Sequence, residues 1–318
     1  MRVVFFGSPS FAIPTLEALR VAGHDVALVV SQPGKPVGRK AEMTDPPAAS
    51  LAKSLGMLVF QPPTLKDDAA FARLAEARAD AFVVAAYGKI LAQRVLDLPR
   101  LGCLNVHGSL LPRWRGASPV QASILAGDEK TGVSIMRMEA GMDTGPVYAM
   151  RETEVGEEED SASLGARLAT MGAQALTETL RFLEGELARI PAPQDDALAT
   201  YCPKITREDA RVDWARPAAE LVRRSRAFTP WPGLFTIRRN TRLKLSGLHL
   251  VADGPWAREG AAVSSSPGTV LEDGSRVVVA CGEGAVAVAT LQAEGRKALP
   301  AADFVRGERV AAGEIWGG

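Results

Sequence analysis

At 318 residues the chain is longer than a single hydrophobic core usually supports, so two domains are expected. An apolar share of 47% with 23% charged residues excludes a disordered chain, and three widely spaced cysteines exclude a disulfide framework and a clustered cysteine metal site. The formal net charge of zero hides an asymmetry, because residues 201–250 hold eleven Lys/Arg against four Asp/Glu while 151–160 hold six Asp/Glu against one Arg. Such a balance permits a polyanionic partner without requiring one. The chain opens directly on a strand pattern, with no leader pattern before it and no apolar run of membrane-spanning length, so a cytoplasmic location is expected.

In chain order, RVVFFG (2–7), DVALVV (25–30), MLVFQ (57–61), DAFVVAAYG (80–88) and GCLNVH (102–107) read as strands. Their near-continuous apolar character is that of strands covered on both faces. Helical patterns fall between them, over Phe11–Ala22 with Ser10 as its cap and Pro14 in its first turn, and near 46–55, 67–78 and 118–126. The alternation predicts an α/β, doubly wound, Rossmann-like domain. Strands over 133–138 and 146–155 flank the EAGMDTG turn (139–145), and a long helix over 161–184 follows. The domain is placed at 1–186. Residues 187–207, rich in Pro and polar residues and without periodicity, read as a linker. Residues 208–318 carry a helix near 216–227 and then short strands, which predict a small OB-like β-barrel of the kind that often binds nucleic acid.

Asn105 and His107 stand two apart at the end of an apolar strand and so share a face. Ligands in such sheets bind at the carboxyl ends of strands. Asp143 lies in the Gly-flanked turn. A carboxylate beside an imidazole fixes the ring's tautomer and suits it to proton transfer, and an Asn amide is a donor for a developing oxyanion. The set suits acyl transfer to an amine. His107 and Asp143 alone are too few for a metal site. Ser109 next to His107 on one segment, without a G-x-S-x-G elbow, argues against a serine hydrolase. The first turn, GSPSF (7–11), lacks the remaining glycines of a dinucleotide fingerprint and any Walker lysine, so it reads as a pocket wall. SLLP (109–112) turns at a proline where its backbone could bond a flat heterocycle, and RWRG (113–116) suits phosphate and base contacts.

These residues carry a resemblance. NVHGSLLPRWRGASPVQ (105–121), GDEKTGVSIMRMEAGMDTGPV (127–147), AYGKIL (86–91), RVVFFGSPSFA at the start, QPGKPVGRK (32–40) and RAFTPWPG (226–233) resemble the methionyl-tRNA formyltransferases across nearly the whole chain. The resemblance implies formyl transfer from 10-formyltetrahydrofolate to the α-amine of methionine on initiator methionyl-tRNA, with no metal. It places the catalytic Asn, His and Asp on Asn105, His107 and Asp143, and the folate contacts on Ser109, Leu110, Leu111 and Pro112. It also places an acceptor-end loop on 33–45, with Lys35, Arg39 and Lys40 as tRNA contacts, although Glu42 and Asp45 make this loop less basic than is usual. Further tRNA candidates are Arg113, Arg115, Lys204, Arg207, Arg223 and Arg224, with Arg226 beside them. Glycinamide ribonucleotide formyltransferases resemble the first domain only, and sugar-amine formyltransferases and formyl-folate hydrolases lack the basic 33–40 pattern. A monomer is expected.

Overall fold

A computed structural model describes residues 1–38, 41–185, 190–251, 265–271, 273 and 276–317. These form two compact units. The first comprises 1–120, 129–155 and 163–203, and the second 121–128, 156–162 and 204–318.

The first unit runs β1 (Arg2–Gly7), α1 (Ile13–Val21), β2 (Asp25–Val30), a hairpin of β3 (Lys35–Val37) and β4 (Glu42–Thr44), α2 (Pro47–Ser54), β5 (Val59–Phe60), α3 (Asp68–Glu76), β6 (Ala81–Ala85), α4 (Gln93–Leu96) and β7 (Cys103–His107). There follow β8 (Arg115–Gly116), α5 (Pro119–Ala126), β9 (Lys130–Arg137), β10 (Val147–Glu154), α6 (Ser161–Glu184) and β11 (Tyr201–Cys202), with α5 and α6 each extending across a boundary between the units. The sheet order is β10-β9-β7-β6-β1-β2-β5. Strands β5, β2, β1, β6 and β7 are parallel, and β9 and β10 extend the sheet antiparallel beyond β7.

Strand alternation divides the core. Val3 and Phe5 of β1, Val83 of β6, and Leu104 and Val106 of β7 pack with Leu16, Ala52 and Leu176 on one face. Val4, Phe6, Phe82, Val84 and Cys103 pack with Leu74 and Val95 on the other. A period of two therefore places Asn105 and His107 on the Cys103 side of β7. Directly behind them, α6 approaches β7 at Gly172, where a Cβ would lie 2.4 Å from Val106 Cγ1. Only a residue without a side chain lets the helix pack this close.

Two local expectations fail. Ser10 caps no helix. It lies inside a single 3₁₀ turn (Ser10–Ala12) whose preceding residue is Pro9, and α1 begins only at Ile13 without a side-chain cap. A hydroxyl inside the turn is one residue too late to accept from the turn's own first amides. The expected 57–61 strand shrinks to Val59–Phe60, an edge pairing with β2.

The second unit holds α7 (Ala218–Ala227), β12 (Phe235–Arg238), β13 (Thr241–Leu250), β14 (Val270–Leu271), β15 (Val277–Ala280), β16 (Ala285–Ala293), β17 (Leu299–Pro300) and α8 (Ala301–Glu308). Its antiparallel sheet is ordered β12-β13-β16-β15-β14, with β17 added on β16. Trp214 donates to Thr236 Oγ1 at 3.0 Å, and its ring centroid lies 6.5 Å from that of Trp316. Among the described residues no helix is long and apolar enough to cross a membrane.

Candidate active site

Strand β7 ends at the carboxyl edge of the parallel sheet, alongside the ends of β6 and β1. Asn105 is half-buried there and His107 is 5% exposed. The turn between β9 and β10 brings Asp143 to both. Asn105 Nδ2 donates to Asp143 Oδ1 at 3.4 Å, and His107 Nδ1 lies 3.7 Å from Asp143 Oδ2. That same Oδ2 accepts the backbone N–H of Gly116 at 2.9 Å. The three residue types expected to act together are thus in one place, with the carboxylate at the centre.

The opposite ring nitrogen fixes the imidazole. His107 Nε2 lies 2.9 Å from the Trp114 carbonyl, which can only accept, so Nε2 carries the proton of the neutral ring. The Nδ1 lone pair then faces Asp143, and a proton added there lies between an imidazole and a carboxylate. The Asp143 contact also orients the Asn105 amide, because a carboxylate accepts from the N–H end. Its second N–H has no other partner among the described residues and can meet a substrate oxygen. Among the described residues no three His, Cys, Asp or Glu side chains come together as a metal site.

The SLLP segment is tied largely to itself and its neighbours. The fully buried Ser109 donates its hydroxyl to Arg113 O at 2.5 Å. The Ser134 hydroxyl donates to Ser109 O at 2.7 Å and accepts Leu111 N at 3.1 Å. Leu111 packs in a small core with Met136 and Val147. The Ser109 and Leu111 side chains are therefore occupied as structure, while Leu110 and Pro112 are half-buried.

RWRG divides. Arg113 is exposed, and its guanidinium lies 4.4 Å from the Trp114 ring centroid. Arg115, expected to reach RNA, is 1% exposed. It donates to Gln194 Oε1 at 3.0 and 2.9 Å, to Asp196 Oδ1 at 2.7 Å and to the Tyr201 hydroxyl at 3.4 Å. Burial opposes its charge, yet the hydrogen bonds from Asp196 and Tyr201 outweigh that and raise its pKa above the ordinary range. A guanidinium so enclosed is not presented to a phosphate in solution.

The segment read as a linker is woven into this site. Ala192 exchanges backbone hydrogen bonds with Val147 at 2.8 and 2.9 Å, and Tyr201–Cys202 pairs in parallel with Arg115–Gly116. Gln194, which no sequence pattern marks, donates to Asp143 O at 2.8 Å and Gly145 O at 2.7 Å. At the other end of the sheet edge, Ser8 Oγ accepts Gln32 N at 3.1 Å, and Gln32 Nε2 donates to Tyr87 O at 2.7 Å, which ties the first turn to the end of β6.

Among the remaining basic candidates, Lys35 is exposed on the 35–44 hairpin, and Arg39 and Lys40 lie outside the described residues. Lys204 and Arg207 are exposed and have no ion pair with a described residue. Arg223 and Arg224 are half-buried and committed elsewhere. Arg223 Nε donates to Leu125 O at 3.3 Å. Arg224 donates to Asp209 O and lies 5.1 Å from the Phe228 ring centroid, and burial followed by the nearby Arg216 charge holds its pKa below the ordinary range. Arg226 donates to Gly156 O and Glu157 O and is lowered by burial in the same way. Helix α7 thus turns part of each of these three guanidinium groups onto carbonyls of the second unit.

Comparison with known proteins gives the family. Residues 1–180 match the formyl transferase family and 204–309 the formyl transferase C-terminal domain. The chain is 44% identical to the methionyl-tRNA formyltransferase of Roseobacter denitrificans, covering 100% of this chain and 99% of that protein. It is 46% identical to that of Thiobacillus denitrificans, covering 98% of each. Among solved structures, HypX from Aquifex aeolicus in complex with tetrahydrofolic acid superposes with a TM-score of 0.64 at 19% identity, over 96% of this chain and 47% of that one. A methionyl-tRNA formyltransferase from Clostridium thermocellum superposes at 0.55 and 15%, over 80% and 95%. With full-length identity of this order to curated members and both domains matched, the chain belongs to the methionyl-tRNA formyltransferase family.

Proposed function

We propose that the chain transfers the formyl group of 10-formyltetrahydrofolate to the α-amine of methionine on initiator methionyl-tRNA, using Asn105, His107 and Asp143. The single observation that carries this reading is the Asp143 carboxylate within reach of both the Asn105 amide and His107 Nδ1. The neutral amine attacks the formyl carbon, and the carbonyl oxygen gains the charge of a tetrahedral intermediate. The free N–H of Asn105 stabilises that oxygen. The attacking nitrogen becomes cationic and gives up a proton to the Nδ1 side of His107, where Asp143 stabilises the imidazolium. The same proton returns to the departing N10 of the folate as the carbon–nitrogen bond breaks. No metal and no covalent enzyme intermediate is needed.

The first unit carries this chemistry. The second binds tRNA, with Lys204 and Arg207 as exposed phosphate contacts and Lys35 and Arg113 contributing from the first unit. Arg39 and Lys40 remain part of the proposal on the strength of the resemblance. The protein works as a cytoplasmic monomer.

The test is formylation of initiator methionyl-tRNA by the purified chain with 10-formyltetrahydrofolate. Asn105→Ala should lower kcat roughly 10²–10³-fold, the usual effect of losing one oxyanion donor. His107→Ala and Asp143→Ala should also lower kcat. Near-normal turnover by any of the three sinks its assigned role.

A further inference from the structure

Asp143 takes φ 53°, the left-handed region that a residue with a side chain enters at a cost of roughly 1–2 kcal/mol. Such a conformation persists only where the surroundings hold it. One side chain does so here. The Gln194 Nε2 group spends both its protons on the turn, donating to Asp143 O at 2.8 Å and Gly145 O at 2.7 Å. Its Oε1 accepts twice from Arg115, from Nε at 3.0 Å and from a terminal nitrogen at 2.9 Å. All four hydrogen-bonding positions of the amide are filled. The orientation is unambiguous, because a guanidinium only donates and a carbonyl only accepts. Arg115 is held in its turn by Asp196 at 2.7 Å. The residue next along its strand, Gly116, supplies the amide that grips the Asp143 carboxylate. The backbone of the 143–145 turn is thus fixed by Gln194 and the Asp143 side chain by Gly116, the neighbour of the arginine that holds Gln194.

We infer that Gln194, oriented by Arg115, is a positioning residue for formyl transfer. It holds the 143–145 turn in the one conformation from which the Asp143 carboxylate reaches Asn105 and His107 together. This rests on the assignment of Asp143 to the reaction proposed above.

Gln194→Glu separates positioning from stability. The carboxylate still accepts from Arg115, so the buried guanidinium keeps its partner. The two donors to the turn become an acceptor facing two carbonyls. Expected are a kcat lowered about 10- to 100-fold, the scale of an ångström-sized misplacement, with unchanged KM for both substrates and a melting temperature lowered by the loss of two donors but leaving the protein folded at the assay temperature. Gln194→Met, which brings no charge into the turn, should show the same fall in kcat and keeps the test open if the Glu variant does not fold. Because Gln194 acts only through Asp143, neither substitution should lower the residual rate of an Asp143→Ala protein any further. Parent-level kcat in both Gln194 variants, alongside an impaired Asp143→Ala, overturns the positioning role and leaves the catalytic assignment standing. The same fold-loss in the Asp143→Ala background also overturns it. Full turnover by Asp143→Ala alone removes both.

Discussion

The backbone N–H of Gly116 and the imidazole of His107 meet one oxygen: Asp143 Oδ2 accepts the first at 2.9 Å and stands 3.7 Å from Nδ1 of the second. The hydrogen bond is present before any substrate arrives, so it sets where the carboxylate points. Gly116 can supply it because it takes φ 122° and lies so close to β11 that a Cβ would fall 2.3 Å from Cys202 O. Gly116→Ala should therefore lower stability by about 1–3 kcal/mol through backbone strain. It should also lower kcat by at least the ~10-fold expected when the carboxylate swings away. Thermal unfolding and steady-state formylation measured together check both halves, and an unchanged kcat would refute the link between the amide and catalysis.

Arginine substitutions should fall into two classes. Arg115→Ala leaves Gln194 Oε1 without its donors, a penalty of about 1–3 kcal/mol for a group removed from water, so its first effect should be a lower melting temperature. Lys204→Ala and Arg207→Ala should leave the melting temperature alone and raise KM for tRNA. Each should also reduce the slope of log affinity against log salt by about one. An Arg115→Ala protein that melts like the parent while raising KM for tRNA would make Arg115 an RNA contact rather than a structural group.

All three cysteines are buried. Burial pushes the Cys103 and Cys281 thiols up to about 12 and raises that of Cys202 as well. The thiolate is the reactive form. The native protein should therefore show no rapid reaction with a thiol reagent at pH 8, and three equivalents should react after unfolding in denaturant. One fast equivalent from the native state would contradict the packing around β7, β11 or β15.

His24 is buried, and that burial, reinforced by the N-terminal amine 3.3 Å from Nδ1 and by Arg181, lowers its pKa from 6.5 despite the opposing charge of Glu184. A histidine that resists protonation in the folded chain binds fewer protons than its unfolded counterpart, so stability falls as the pH drops below 6.5 and through the lowered value. The melting temperature should decline over that interval, and His24→Gln should flatten the decline. A parallel decline in the variant would assign it to other groups.

What could be read from the residues alone divides along a physical line. A near-continuous apolar run is a property of a short segment, so the strands read over 2–7, 80–88 and 102–107 are found at Arg2–Gly7, Ala81–Ala85 and Cys103–His107, and the shared face of Asn105 and His107 followed from strand alternation. Asp143 came from its Gly-flanked turn and from resemblance, because nothing local says which strand pair a turn will lean over. Gln194 was invisible, since its partners lie 49 and 51 residues away and its own surroundings have no period. Arg115 was misread for a related reason. An arginine destined for water and one destined for the interior look alike until Gln194, Asp196 and Tyr201 arrive around it. The basic run 201–250 carried the same ambiguity, and only the fold separates Arg223 and Arg224, half-buried on α7 and bonded to backbone carbonyls, from Lys204 and Arg207, exposed in the segment before it.

The threading of residues 190–203 through the first unit also limits how the chain can be divided. A gene cut at the end of α6, where periodicity stops, would remove the Val147 pairing, the strand beside Arg115–Gly116 and Gln194 itself. A minimal folate-processing fragment must extend past Cys202, so its natural excision point lies some twenty residues beyond the last regular helix of the unit.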